Sequence, residues 1–285
     1  MKKLPASPLR GFLPLALCFA PVFGAFCGCV DVTLDGSAAA PLAQPVESPF
    51  KGLDPGFKSQ ETSHFSVNAY TSSSVALYAG MCEDDYSRIM QDLGLYSFVP
   101  VRPYNIVIYR DAAEYHAKTG QPDWSGGATY GNALFLFEGP GLKATAAHEM
   151  THLVFNEFMG LSQASALRWL NEGVAVYEES RADQASASFY AARVAADVAP
   201  NPIPFSQMVN LAPQGESQGT VDRWYSQVGS VAGFLIRQGG SFNFSLFMSK
   251  LHDGAAPDKA IEETYTGLWK NLSDVEKAWK LDIQK

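Results

Sequence analysis

Two histidines four positions apart, inside a long apolar segment, restrict the fold of this chain more than any other feature. His148 and His152 lie within residues 142–159, in the run Ala147-His148-Glu149-Met150-Thr151-His152-Leu153. The segment has helical periodicity, and it is followed by Gly160, a residue type common at helix C-termini. Side chains at i and i+4 lie above one another on a helix, so both imidazoles point to one side. We therefore expect them to bind one Zn²⁺, at about 2.0–2.1 Å from each nitrogen.

Glu149 directly follows the first of these histidines. Its carboxylate is expected beside the two imidazoles, where it can hold a metal-bound water rather than the metal, and act as a general base. The three fixed residues of such a motif can also occur by chance. Two of the five histidines of the chain lie here, however, flanked by apolar residues on a predicted helix. We therefore interpret the run as a metal site.

A catalytic zinc site normally has three protein ligands and leaves the fourth position for water. Downstream carboxylates that could complete the set are Glu157, Glu172, Glu178 and Glu179. Glu157 is five residues beyond His152 on the same helix and therefore faces elsewhere. Glu172 lies near the start of the next predicted helix, after enough residues for a turn and an antiparallel return. We expect Glu172 to face the histidines; the alternative is an ordinary solvated helix residue.

The pattern along the chain predicts an α+β fold, in which a small N-terminal mixed sheet with helices precedes a mainly helical half that carries the metal site. Alternation predicts strands at 62–69, 104–109, 127–130 and 133–137. Helical spacing predicts helices at 73–95, from 111, at 142–159, and in four or five later segments, including 225–234 and 272–283. Hydrophobic residues make up 47% of the chain, enough for a sizeable core.

The first 28 residues are typical of an export signal. Basic residues within the first ten positions precede an apolar stretch from 11 to 26, which is short and interrupted by prolines. An uncleaved apolar anchor is the alternative. Cys29 follows small residues in a loose version of a lipoprotein signal, so acylation of Cys29 and ordinary cleavage nearby both stay open. Either route predicts a protein of the periplasm or cell envelope, with Cys29 as a possible lipid anchor to the membrane.

Residues 29–60 are rich in Ala, Pro, Ser and Gly and show no periodicity, which predicts a flexible tether before a folded domain at 61–285. The net charge is −8, and the chain has no basic stripe. Nucleic acid is therefore not expected as a partner, because phosphate backbones require clustered Lys and Arg.

Two motifs together resemble the gluzincin metallopeptidases of clan MA, in particular the bacterial peptidase MA-like domains. They are His148-Glu149-Met150-Thr151-His152 and Trp169-Leu170-Asn171-Glu172-Gly173-Val174-Ala175-Val176-Tyr177. The resemblance extends loosely from about residue 61 to the C-terminus. It implies a zincin-like fold with a thermolysin-like active-site core and one Zn²⁺ per chain. The implied ligands are His148, His152 and Glu172, with Glu149 as the base.

The chain departs from this family at one supporting position. Thermolysin has an acidic residue four places after its glutamate ligand, which supports the first histidine. Val176 stands at that place here. The supporting group is therefore expected to be Glu178, Asn171 or another residue. The G-x-M-E-N motif of related aminopeptidases is absent, which disfavours that activity.

The resemblance also points to a residue that stabilises the oxyanion. In the wider clan a Tyr or His from the region after the metal helices often has this role, and Tyr225 lies there. A packing tyrosine is the alternative, and Tyr177 is the other hydroxyl in plausible reach. In gluzincins the edge strand of the sheet pairs with extended substrate. Gly126 and Gly127 would permit such an approach, although an ordinary hairpin loop explains them equally well.

These observations predict an exported zinc metallopeptidase that hydrolyses peptide bonds of a polypeptide substrate. Two alternatives stay open: a catalytically silent envelope scaffold that retains the fold, and a zinc amidase that acts on a non-peptide cell-wall amide. An intact Glu149 argues against the silent scaffold, because a silent site does not need the base. The ligand set does not separate the two amide hydrolases, since the same water attacks either bond.

Overall fold

A mixed sheet of five strands forms the N-terminal part of the protein. The computed structural model describes residues 48–285, so the predicted signal peptide over 1–28 and Cys29 lie outside the described residues. The strands are β1 (Lys58–Glu61), β2 (Phe65–Ala69), β3 (Tyr104–Tyr109), β4 (Gly127–Tyr130) and β5 (Ala133–Phe137). Their spatial order is β1-β2-β3-β5-β4. The central pairs β2–β3 and β3–β5 are parallel, and the outer pairs are antiparallel.

Helices make up most of the remaining described chain. They are α1 (Ser72–Leu93), α2 (Ala112–Thr119), α3 (Leu142–Met159), α4 (Leu161–Ala166), α5 (Arg168–Ala182), α6 (Gln184–Arg193), α7 (Phe205–Met208), α8 (Gln218–His252), α9 (Pro257–Thr264) and α10 (Leu272–Asp282). A π-helical turn, Val194–Val198, follows α6. The predicted α+β arrangement of an N-terminal mixed sheet and a mainly helical half is confirmed. None of these helices combines the length and apolarity needed to cross a bilayer.

The alternation of side chains in β3 divides the core into two parts. Ile106 and Ile108 belong to the large cluster that also includes buried residues of α1, α3, α5 and α8. Val107 and Tyr109 point to the opposite face and join a smaller cluster with Phe135. This separation follows from the two-residue period of a strand. The sheet therefore presents one face to the helices of the metal site.

The predicted tether over 29–60 is wrong at its C-terminal end, because β1 begins at Lys58 and pairs with β2. Phe50 also packs edge-on against Phe135, with ring centroids 4.9 Å apart. The folded part thus begins before residue 61. The first predicted strand, 62–69, is shorter than expected, since Thr62 caps a turn by accepting the Phe65 backbone N–H. The helix predicted at 225–234 is part of the much longer α8, which is interrupted at Gly240.

Glycines allow α5 and α8 to pack closely. A Cβ on Gly173 would lie 2.7 Å from the backbone oxygen of Val228, and one on Gly229 would lie 2.3 Å from Cγ1 of Val176. Both distances are too short for non-bonded atoms, so neither position has room for a larger residue. Gly173 directly follows Glu172, so this contact brings α8 close to the backbone beside Glu172.

We predict that Gly229→Ala lowers the free energy of unfolding by about 1–3 kcal/mol, because the added methyl overpacks the α5–α8 contact. Gly219→Ala on the same helix is the matched control, since a Cβ there would meet no atom within 4 Å. The control should gain up to about 1 kcal/mol from helix propensity. Urea unfolding of the two variants measures both effects, and equal stabilities would contradict the close packing.

Candidate metal centre

The three predicted ligands come together between α3 and α5. His148 and His152 lie one turn apart on α3, and Glu172 faces them from the first half of α5. Oε2 of Glu172 lies 3.7 Å from Nε2 of His148 and 3.5 Å from Nε2 of His152. All three side chains are buried, and their ligand atoms lie within 4.8 Å of one another. The site could therefore hold one metal ion.

Hydrogen bonds at the opposite ring nitrogens orient both imidazoles. Nδ1 of His148 lies 2.9 Å from Oε2 of Glu179, and Nδ1 of His152 lies 2.8 Å from Oδ1 of Asn171. The Asn171 amide nitrogen donates to Asn156, which leaves its oxygen as the acceptor facing His152. Because both partners are acceptors, each Nδ1 carries the hydrogen in the neutral ring. Each Nε2 then presents a lone pair toward Glu172.

The electrostatics of the pocket favour a positive charge between these side chains. Burial alone would raise the pKa of Glu172, but His152 and His148 outweigh burial and lower that pKa to about 2. Burial alone would lower the pKa of His148, but the carboxylates of Glu172 and Glu179 raise it to about 10. Oε2 of Glu172 is buried and has no hydrogen-bond partner among the described residues. A cation at this position would compensate the buried oxygen.

The predicted base lies beside the ligands and against the sheet. Glu149 is 1% exposed on α3. A Cβ on Gly127, the first residue of β4, would lie 3.3 Å from Cγ of Glu149. Among the described strands β4 forms an edge of the sheet. The glutamate therefore lies at the point where this edge strand meets the metal helix.

The remaining downstream glutamates have separate partners. Glu157 faces away from the ligands, as predicted, and accepts a hydrogen bond of 2.6 Å from the Tyr104 hydroxyl. Glu178 accepts from Nε of Arg88 at 3.1 Å and does not support the histidines. Of the supporting groups considered from the sequence, Asn171 is found in that role for His152.

The support for His148 was not predicted, because it comes from Glu179 rather than from the position four residues after Glu172. Glu179 is seven residues after Glu172, which places both carboxylates on one face of α5 two turns apart. A search at i+7 as well as i+4 would have identified it. Val176, at i+4, instead packs against Gly229 of α8.

Tyr225, the predicted oxyanion residue, and Tyr177, the other hydroxyl considered, differ in their surroundings. The ring of Tyr177 lies in the α5–α8 contact, since a Cβ on Gly233 would be 2.7 Å from its Cδ2. Tyr225 is half-buried on α8, one turn before Val228, whose backbone oxygen faces Gly173. The helix backbone at Tyr225 therefore lies about one turn from the contact between α8 and Gly173, the residue after Glu172. Its catalytic role stays a prediction.

Comparison with known families confirms the resemblance to clan MA. A family model described as the peptidase MA superfamily matches residues 82–285, which covers both metal helices and all later elements. No curated protein matches the chain.

We predict that Glu179→Ala lowers metal affinity about 10- to 100-fold, because His148 loses the acceptor that orients its ring. Competition with a chromophoric zinc chelator measures the affinity. Glu157→Gln is the control on the metal helix, since its carboxylate contacts Tyr104 and not the ligands. The orienting role of Glu179 is refuted if both variants bind zinc as tightly as the unchanged protein.

A half-buried arginine between two buried carboxylates predicts pH-dependent stability. Arg88 contacts both Asp85 and Glu178, which are almost completely buried. Burial and the charge of Asp92 raise the pKa of Glu178 to about 8, although Arg88 opposes the shift. The unfolded value is about 4.3, so the folded chain binds more protons between these two pKa values. The free energy of unfolding therefore falls as the pH rises from about 5 to 8.

Glu178→Gln should remove this pH dependence. The free energy of unfolding of the variant, relative to that of the unchanged protein, should therefore increase as the pH rises from about 5 to 8. Urea unfolding in EDTA at several pH values between 5 and 8 measures the difference. Glu216→Gln, at an exposed loop position, is the control and should give a curve parallel to that of the unchanged protein. A parallel curve for Glu178→Gln would show that Glu178 is ionised throughout.

Proposed function

The chain belongs to the peptidase MA superfamily, and on that basis we propose that it is a zinc-dependent metallopeptidase that acts on polypeptides in the cell envelope. One observation carries the proposal: two imidazole nitrogens converge on a buried carboxylate oxygen that accepts no hydrogen bond, beside a second buried glutamate. This arrangement supplies three ligands and a base from two helices. The remaining support comes from the geometry of the donors, the edge strand and the N-terminal sequence.

The donor set supports zinc in particular. Two ligand atoms at about 2.0–2.1 Å from a tetrahedral Zn²⁺ lie about 3.4 Å apart. The separations of 3.5 and 3.7 Å between Glu172 and the two histidines are close to this value. Two histidines and one carboxylate also form a common catalytic zinc set, with the fourth position left for water. The hydrogen bonds from Nδ1 keep both rings in the tautomer that such binding requires.

A metal ion held by His148, His152 and Glu172 would be a Lewis acid, which would acidify a water molecule and polarise the peptide carbonyl. Glu149 orients the attacking water through its carboxylate, accepts a proton from it, and passes that proton to the departing amine. Burial of Glu149 excludes bulk water from this proton transfer. Asn171 and Glu179 do not touch the substrate; they keep His152 and His148 in the orientation that the reaction needs.

Tyr225 is proposed to donate a hydrogen bond to the oxyanion. The support for this role is the position of Tyr225 on α8. Tyr225 lies one turn before Val228, which contacts Gly173, and Gly173 directly follows Glu172. A hydroxyl aimed at the developing charge acts mainly in the transition state, where such donors contribute most.

The edge strand supports an extended polypeptide as the substrate. The strand β4 pairs with β5 on one side. Its other side can pair with an added strand, as in β-augmentation. Gly127 brings the start of β4 close to Glu149. A peptide that pairs with β4 would therefore have its backbone near the base and the metal. A compact cell-wall amide would contact less of the free side of β4 than an extended peptide.

The proposed location rests on the sequence. Residues 1–28 have the features of a signal peptide, and Cys29 is positioned for acylation, which would anchor the protein to a membrane. The mass of the mature N-terminal peptide distinguishes acylation from plain cleavage.

We predict that Glu149→Gln lowers peptide hydrolysis at least 100-fold and leaves one zinc per chain, because the substitution removes the base but none of the ligands. Digestion of a peptide library followed by mass spectrometry measures the hydrolysis, and metal analysis measures the zinc. Glu216→Gln should leave both unchanged.

The outcomes of this experiment separate the candidate functions. Zinc binding without peptide cleavage by the unchanged protein would favour a silent scaffold or a cell-wall amidase. Release of amine from purified peptidoglycan, absent in Glu149→Gln, would then identify the amidase. Absence of zinc from the unchanged protein would overturn the proposed function.

A further inference from the structure

Glu179 accepts a second hydrogen bond that comes from outside the two metal helices. Its Oε2, which lies 2.9 Å from Nδ1 of His148, also accepts from the hydroxyl of Tyr190 at 2.9 Å. Tyr190 lies on α6, the helix that follows α5. We infer that Tyr190 is a positioning residue of the metal centre and acts on His148 through Glu179. The inference rests on the proposed metal binding.

The local structure explains how Tyr190 reaches this carboxylate. Asp183 is extended, with φ −141° and ψ 132°, and its side chain caps α6 by accepting the backbone N–H of Ser186. This break between α5 and α6 turns the chain back toward α5. Residues of α6 are half-buried or exposed, so the helix covers α5 from the solvent side. Tyr190 is half-buried and projects inward from this cover.

Both hydrogen bonds converge on the same oxygen, which is the basis of the positioning role. A glutamate carboxylate that accepts one hydrogen bond can still rotate about χ3, because the distribution of this terminal torsion angle is broad. A second donor at the same oxygen restricts that rotation and keeps the oxygen near Nδ1 of His148. The restriction favours the Nδ1–H tautomer, so that Nε2 stays directed toward Glu172.

A structural role for Tyr190 would have a different consequence. If its ring only attaches α6 to α5, loss of the hydroxyl would change the stability of the apoprotein and leave metal affinity unaffected. If the hydroxyl positions Glu179, the loss would weaken metal binding. By reciprocity, metal binding would also strengthen the attachment of α6.

The test compares Tyr190→Phe with Tyr70→Phe, a control tyrosine whose hydroxyl also donates to a carboxylate, that of Glu114 on α2. Zinc affinity is measured by chelator competition, and the d–d absorption of the Co²⁺-substituted protein reports ligand geometry. We expect Tyr190→Phe to weaken zinc binding about 3- to 10-fold, less than the loss of a direct partner, and to alter the Co²⁺ spectrum. Tyr70→Phe should change neither. Unchanged affinity and spectrum in Tyr190→Phe would overturn the inference.

A double-mutant cycle tests whether Tyr190 acts through Glu179. In a Glu179→Ala background, Tyr190→Phe should cause no further loss of zinc affinity. An equal loss in both backgrounds would overturn the inference, because the hydroxyl would then act by another route. If the unchanged protein does not bind zinc, the proposed function fails. If the unchanged protein and Tyr190→Phe bind zinc equally well, only the role of Tyr190 fails.

Discussion

The buried contact between Glu172 and the two histidines is the interaction on which the helical half of the protein depends. A carboxylate removed from water is costly unless positive charge and hydrogen bonds compensate it. Here the compensation comes from His148 and His152, and a divalent ion would provide more of it. The pKa shifts of Glu172 and His148 have opposite signs because each group stabilises the charge of the other. The α3–α5 contact therefore has an electrostatic as well as an apolar component.

Supporting groups extend this electrostatic arrangement outward in two directions. Glu179 connects His148 to Tyr190 on α6, and Asn171 connects His152 to Asn156 on α3. The same helix, α5, carries Glu172 and both of these supports, so a small rotation of α5 would move all three together. Close packing of α5 against α8 at two glycines opposes such a rotation. The apolar packing thus maintains the polar geometry.

The bounds predicted from the sequence agree best with the structure where the local sequence pattern is compatible with only one type of secondary structure. The helix Leu142–Met159 and the strands at Tyr104–Tyr109 and Ala133–Phe137 have the predicted bounds, because they are largely apolar runs whose ends carry glycine or turn residues. The strand β1 was missed, since all four of its residues are exposed and carry no alternation. Its pairing with β2 is a backbone interaction that side-chain patterns do not reveal.

The sequence by itself determined that the chain has an α+β fold, that His148 and His152 share one helical face, and that Glu172 is the best third partner. These results follow from the fixed periods of helices and strands, which act over a few residues. Only the tertiary structure decided that Glu179 rather than Glu178 supports His148, that Arg88 pairs with Glu178, and that Tyr190 reaches Glu179. The choice among neighbouring carboxylates depends on the rotation of α5 against α3, α6 and α8, and that rotation is determined by long-range packing rather than by local sequence.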